Sequence, residues 1–128
     1  MKRMTVFLAD DHTIVRQGLR ALLEAEPDMK VVGEAEDGRK ALKHILTLQP
    51  DIVIMDIAMP RLNGAEAIHR IRERHPRVKV LVLSMYADDE YVYQAIEAGA
   101  AGYIVKGAPV TELITALREV LKGNVFFS

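Results

Sequence analysis

Five short runs of apolar, largely β-branched residues recur along this chain, and segments with helical spacing fill the gaps between them. The runs are Thr5 to Ala9, Val31 to Val32 with their flanks, Ile52 to Met55, Val78 to Leu83 and Tyr103 to Val105. Most are continuously apolar rather than alternating, the pattern of strands covered on both faces. Between them, Ile14, Val15, Leu19, Leu22 and Leu23 share one helical face, as do Ala41, Leu42, Ile45 and Leu46. Ala67, Ile68 and Ile71 mark a third helix. Val92, Ala95 and Ile96 mark a fourth, and Leu113, Ile114, Leu117, Val120 and Leu121 a fifth. Strand and helix thus alternate five times. Crossovers in such units are right-handed, so the strands form a parallel sheet with helices on both faces.

The punctuation agrees. Asp10-Asp11-His12-Thr13 offers capping groups before the first helix. Pro50-Asp51 separates the second helix from the third strand, and Asn63-Gly64 opens the third helix, which Pro76 closes. Asp88 and Asp89 head the fourth helix and Gly99 suits its C-terminal cap. Pro109 suits the first turn of the last helix and Gly123 its end. No internal repeat, low-complexity stretch or linker precedes the tail, Gly123 to Ser128.

A chain of 128 residues, half of them hydrophobic, fits one domain with a continuous core. The 17 basic and 18 acidic side chains nearly cancel, which argues against a dedicated nucleic-acid binder. The lack of cysteine excludes disulfides and thiolate metal sites. Asp10 and Asp11 cut off the opening apolar run too early for a signal peptide, and no window approaches a membrane span. The expectation is a cytoplasmic protein without membrane contact.

In an open parallel sheet the ligand site lies beyond the carboxyl ends of the strands. Strand one ends in Asp10-Asp11, strand three in Asp56, strand four in Ser84 and strand five in Lys106. Strand two ends in Glu34-Ala35-Glu36, at the sheet edge. Carboxylates held together repel one another and resist ionising. A hard divalent cation relieves that, and Mg²⁺ takes a few carboxylates plus water and phosphate oxygens. A lysine beside them adds a point charge suited to phosphate. A carboxylate can attack phosphorus and carry an aspartyl-phosphate. That transfer needs mainly alignment and charge neutralisation. Asp56 is the candidate nucleophile, with Asp11 on the Mg²⁺ and Asp10 on it directly or through water. Ser84 would donate to one phosphoryl oxygen and Lys106 pair with another.

These residues sit in pieces that, in order, resemble a response-regulator receiver domain of two-component signalling. The pieces are Asp10-Asp11-His12, Asp56-Ile57-Ala58-Met59-Pro60 with Gly64, Leu83-Ser84-Met85, and Gly99 through Lys106. The wording from Ser84 to Lys106 is similar to the NarL/FixJ-type group. The resemblance implies a flavodoxin-like (CheY-like) doubly wound five-stranded parallel sheet, strand order 2-1-3-4-5. It implies that a sensor histidine kinase supplies the phosphoryl group to Asp56 with Mg²⁺. It further implies the backbone carbonyl of Ala58 as a metal ligand, and a switch in which Ser84 moves to the phosphoryl group while Tyr103 turns inward. Helix four, strand five and helix five would carry the altered surface, and homodimers on phosphorylation are plausible by analogy. In the group a helix-turn-helix DNA-binding domain follows, which implies either an excised or a stand-alone receiver; the excised one is the expectation, with residues 1–123 the receiver and 124–128 the start of the linker. DNA would be bound only through that further domain. Departures from the pattern are Lys106-Gly107, where glycine admits more backbone conformations, and Met85 after the switch hydroxyl. Ala58 and Tyr86 fall where phosphoryl lifetime is tuned, and they imply slow self-dephosphorylation.

Plainer readings compete residue by residue. Asp10 and Asp11 could cap a helix, Asp56 end a strand, Lys106 lie in solvent and Tyr103 pack as an ordinary aromatic. His12 reads as a solvated helix start. His44, His69 and His75 read as helix exteriors. Arg70, Arg72, Arg74, Arg77 and Lys79 read as a solvated helix end, and Met55 and Met59 as packing. A haloacid-dehalogenase-type phosphatase would separate its two acids by two residues after strand one, but here they are adjacent. A flavin carrier would need a hydroxyl-rich loop there. A degenerate receiver would lack part of the acidic set. The reading is therefore a carboxylate modified once per signal, not an enzyme that turns over substrate.

Overall fold

A computed structural model describes residues 3–127. Strands β1 (Met4–Ala9), β2 (Met29–Ala35), β3 (Ile52–Met55), β4 (Lys79–Ser84) and β5 (Gly102–Val105) alternate with five helices. These are α1 (Thr13–Glu24), α2 (Gly38–Leu48), α3 (Gly64–Arg74), α4 (Asp89–Ala98) and α5 (Val110–Leu121). A sixth strand, β6 (Phe126–Phe127), follows α5. All neighbouring strands are parallel, in the order β2-β1-β3-β4-β5-β6.

The sheet therefore has six strands where the sequence predicts five. Gly102 pairs with Phe126 and Tyr103 with Phe127, and Phe126 N donates to Ala101 O at 3.0 Å. Two residues are too few to show a period. Their stabilisation is tertiary: they pair with the edge of β5, and the two rings pack against opposite cores.

The continuous apolar runs are explained by those two cores. Phe7, Val53, Met55, Val80, Val82 and Tyr103 face α2, α3 and α4. Val6, Leu8, Ile54, Leu81 and Ile104 face α1 and α5. Consecutive strand residues point to opposite faces, so a sheet covered twice is apolar at nearly every position. Met55 and Met59 are core residues, as their sequence setting suggests. Ile14 departs from the predicted α1 face. It is 84% exposed, while Leu23 is buried.

Element ends follow local chemistry. Asn63 accepts from Glu66 N as the cap of α3, and Gly99 ends α4 at φ 106°, a conformation that favours glycine. His75 is not a free helix exterior. It is the C-cap of α3, and its Nε2 lies 3.0 Å from Leu46 O. Within the predicted solvated cluster, Arg72 Nη1 donates to Pro76 O and Val78 O, closing the end of α3.

Register builds the rim. Ala9 pairs with Met55, so Asp10 and Asp56, next in each chain, are side by side. Asp56 N donates to Ala9 O at 2.8 Å, and Lys106 N to Ser84 O at 2.6 Å. The β3–α3 segment below Asp56 is held close to α2, where Gly38 N donates to Pro60 O at 3.0 Å. A Cβ on Gly38 would come within 2.8 Å of Leu62 Cα. Gly38→Ala should thus destabilise the protein by about 1–3 kcal/mol through overpacking. Urea unfolding checks this, and an unchanged midpoint would show that the segment yields freely.

Candidate functional site

The rim of the sheet gathers its charges at the points the sequence implies, with one addition. Asp10 and Asp56 are buried at 2% and 3% exposure. Asp10, Asp11, His12 and Asp56 offer ligand atoms that all lie within 4.8 Å of one another. Lys106, carried in from β5, reaches Asp56 Oδ2 at 2.8 Å and Asp10 Oδ2 at 2.9 Å. The first contact has hydrogen-bond geometry. The second is a charge contact. Asp10 Oδ2 and Asp11 Oδ1 are buried and accept no hydrogen bond from the described residues.

The second oxygens of Asp56 and Asp10 are held by backbone donors. Asp56 Oδ1 accepts from Ala58 N at 2.8 Å. Asp10 Oδ1 accepts from His12 N at 2.8 Å. Asp10 therefore closes a local turn on its own chain, and Asp11 makes no cap bond either: the cap position of α1 is His12, which has no side-chain cap bond. Short acidic side chains bond the backbone two residues on when the chain turns sharply after a strand.

His12 is the addition. Its ring is 52% exposed, yet Nδ1 lies 3.0 Å from Asp10 Oδ1, 3.5 Å from Asp11 Oδ1 and 3.9 Å from Asp56 Oδ2. It also lies 2.9 Å from Lys106 Nζ. The sequence treats His12 as a solvated helix start. Its place next to the acidic pair is visible in the sequence and its ring is half solvated as expected; that Nδ1 turns into the rim is the added finding.

Burial acts to lower the Lys106 ammonium, but the hydrogen bonds and charges of Asp56 and Asp10 outweigh it and hold it above its ordinary value. The residue after it, Gly107, takes φ 96°, so glycine at this turn serves a conformation that side chains resist. Ala58, two residues after Asp56, is exposed.

Ser84 and Tyr103 are both fully buried. They share the peptide groups of one residue: Tyr86 N donates to Ser84 Oγ at 3.0 Å, and Tyr103 donates its hydroxyl to Tyr86 O at 2.6 Å. Burial pushes the Tyr103 phenol above its ordinary pKa. The Tyr86 ring stacks on Tyr91 of α4, with centroids 4.6 Å apart.

Donor chemistry fits a hard cation. Three carboxylates converge, two of their oxygens accept no hydrogen bond from the described residues, and the countercharge beside Asp10 and Asp56 is the Lys106 ammonium. Among the described residues no helix is long and apolar enough to cross a membrane.

Fold and rim together define a class: a doubly wound α/β domain with a lysine-countered acidic cluster at its carboxyl edge. The chain belongs to the response regulator receiver domain family, whose model matches residues 6–118. It is 42% identical to the oxygen regulatory protein NreC of Staphylococcus carnosus, over 96% of this chain and 57% of that one. It spans a little over half the length of the curated relatives it matches. Its fold matches the signal receiver domain of a response regulator named NarL from Mycobacterium tuberculosis with TM-score 0.92 and 34% identity, covering 97% of this chain and all of that one. It also matches the isolated REC domain of RcsB from Salmonella enterica serovar Typhimurium, solved with the phosphomimetic BeF3−, with TM-score 0.90 and 30% identity. That match covers 99% of this chain and 94% of that one. The predicted resemblance to receivers of the NarL/FixJ-type group is thereby borne out.

Breaking a buried pair strands a carboxylate, so Lys106→Met should cost about 3 kcal/mol of stability without divalent cation. Because the folded state raises the Lys106 pKa, its contribution is complete below the ordinary value of 10.5 and fades as pH climbs through the raised one. Urea unfolding of parent and variant should therefore differ by a constant amount from pH 7 to about 10 and converge above. A gap that closes below that range would contradict the pairing.

Proposed function

We propose that this chain is a phosphorylation-controlled receiver in which Asp56 is the acceptor. The observation that carries this is the single ammonium of Lys106 shared by Asp10 and Asp56, beside carboxylate oxygens that no other described group satisfies. Asp10, Asp11, Asp56 and the carbonyl of Ala58 would hold Mg²⁺. When bound, the cation supplies charge neutralisation to carboxylates and phosphoryl oxygens.

The chain's own residues account for the rest. An Asp56 carboxylate oxygen attacks the phosphorus of a phosphohistidine on a sensor histidine kinase. The new O–P bond forms as the P–N bond breaks, and the imidazole leaves with the electron pair. Lys106 stays protonated at neutral pH, because its pKa is raised, and turns from Asp56 toward a phosphoryl oxygen. Ser84 donates its hydroxyl hydrogen to another, which its Oγ can do while it accepts the Tyr86 N–H. Tyr103 is already inward, and its bond to Tyr86 O ties Ser84 and Tyr103 to the same residue of the loop before α4. Phosphorylation shifts a balance between two states rather than creating a new one. The residue is modified once per signal and does not turn over substrate.

The relatives' printed role as transcriptional regulators suggests the output. Residues 1–123 act as the receiver, and 124–128 lead toward a helix-turn-helix domain outside this chain, through which any DNA is bound. In this reading Phe126 and Phe127 start that path while still paired to β5. RcsB, 30% identical, is described as dimers on DNA, which supports homodimer formation on phosphorylation, in the cytoplasm.

Intact-mass analysis after acetyl phosphate and Mg²⁺ tests the acceptor. The parent should gain one phosphoryl adduct and Asp56→Asn none. An adduct that persists would move the acceptor elsewhere. Ala58 has no group to orient water and Tyr86 borders the site, so the adduct should decay more slowly in the parent than in Ala58→Asn. Equal or faster decay in the parent removes that role.

A further inference from the structure

We infer that Arg16 is a positioning residue for the acidic rim: its guanidinium clamps the peptide of Asp10 so that the carboxylate oxygen of Asp10 that faces Lys106 is presented to a divalent cation. This rests on the reading of the rim as a cation site.

Arg16 lies one turn into α1, where its N–H donates to His12 O at 3.0 Å. Its side chain is only 13% exposed. Nη1 donates to Asp10 O at 2.6 Å and Nε to Glu34 Oε1 at 3.1 Å. The other oxygen of Glu34 accepts from Arg20 Nη1 at 2.5 Å, and Arg20 Nε donates to Glu24 Oε1 at 2.9 Å. A chain of charges thus runs from the surface of α1 across β2 to the backbone of Asp10. Glu34 supports it: burial would raise its carboxyl, but the hydrogen bonds from Arg20 and Arg16 pull it below its ordinary value.

The consequence lies in the valences of Asp10. Its N–H donates to Ala35 O at 3.1 Å. Its carbonyl takes Arg16, and Oδ1 takes His12 N. Oδ2 is nine-tenths buried; no contact to it has hydrogen-bond geometry, and its one close partner is the Lys106 ammonium at 2.9 Å. A purely structural clasp between α1 and β2 would need Glu34 alone. The bond to the Asp10 carbonyl satisfies a buried backbone acceptor and in addition holds the Asp10–Asp11 peptide, the backbone from which both carboxylates project. Arginine suits the task because its rigid fork reaches two acceptors at once, which the single ammonium of lysine cannot match. Groups that orient a metal-ligating residue commonly change affinity by about 10- to 100-fold when removed.

The test uses Mn²⁺ as the probe, titrated into the full chain, with free ion read by electron paramagnetic resonance. The parent should bind, and Arg16→Gln and Arg16→Lys should weaken binding by about 10-fold. Glu24→Gln, at the far end of the charge chain, should not. Urea midpoints are measured alongside, since a merely structural role lowers the midpoint and leaves the Mn²⁺ affinity of the folded protein alone. Folded Arg16→Gln that binds Mn²⁺ like the parent overturns the inference. If the Arg16 variants do not fold, Glu34→Gln decides: freeing the far end of Arg16 should weaken Mn²⁺ by a few fold, and unchanged affinity overturns the inference. A parent that binds no Mn²⁺ is a different result. It sinks the cation reading itself, and this inference with it.

Discussion

Two buried carboxylates placed side by side are the constraint on which the rest of this structure depends. Asp10 and Asp56 end neighbouring parallel strands, and the register gives them no way to separate. Like charges in a poorly solvated place cost stability unless countered. The counterion among the described residues is Lys106, fifty positions along the chain from Asp56. It arrives only when β4 and β5 have paired and α5 covers their outer face. The charge balance of the rim is therefore a product of the completed sheet.

The two faces of the sheet differ in ways that bear on signalling. The α1–α5 side holds the rim from behind, with Arg16 on the Asp10 peptide and Glu34. The α4 side carries Ser84 and Tyr103, the residues proposed to switch. Ser84 and Tyr103 contact the same residue, Tyr86, through its N–H and its carbonyl. The ring of Tyr86 rests on α4 through Tyr91. Two hydrogen bonds and one stacked pair thus connect Ser84 to Tyr103 and to the surface of α4. No long relay is needed. One residue with three contacts can couple the rim to a helix surface.

Much of this was legible in the residues. Apolar runs without alternation implied a sheet covered on both faces, because side chains alternate sides along a strand. Strand ends then named Asp10, Asp11, Asp56, Ser84 and Lys106, because a parallel sheet presents its carboxyl ends on one rim. What the chain alone did not determine was reach. Side-chain directions at the start of α1 decide that His12 turns into the rim while Ile14 turns out to solvent, and spacing alone allows either. Phe126 and Phe127 form a strand because β5 presents an open edge, not because two residues have a preference strong enough to read. Arg16 looks like any helical arginine until β2 brings Glu34 beside it. The sequence by itself determined which chemical groups meet at the rim, since strand order and polarity follow from local pattern. Which of their atoms are already engaged and which remain free was decided only by tertiary structure. Hydrogen-bond partners are set by distances of a few tenths of an ångström between segments far apart in the chain.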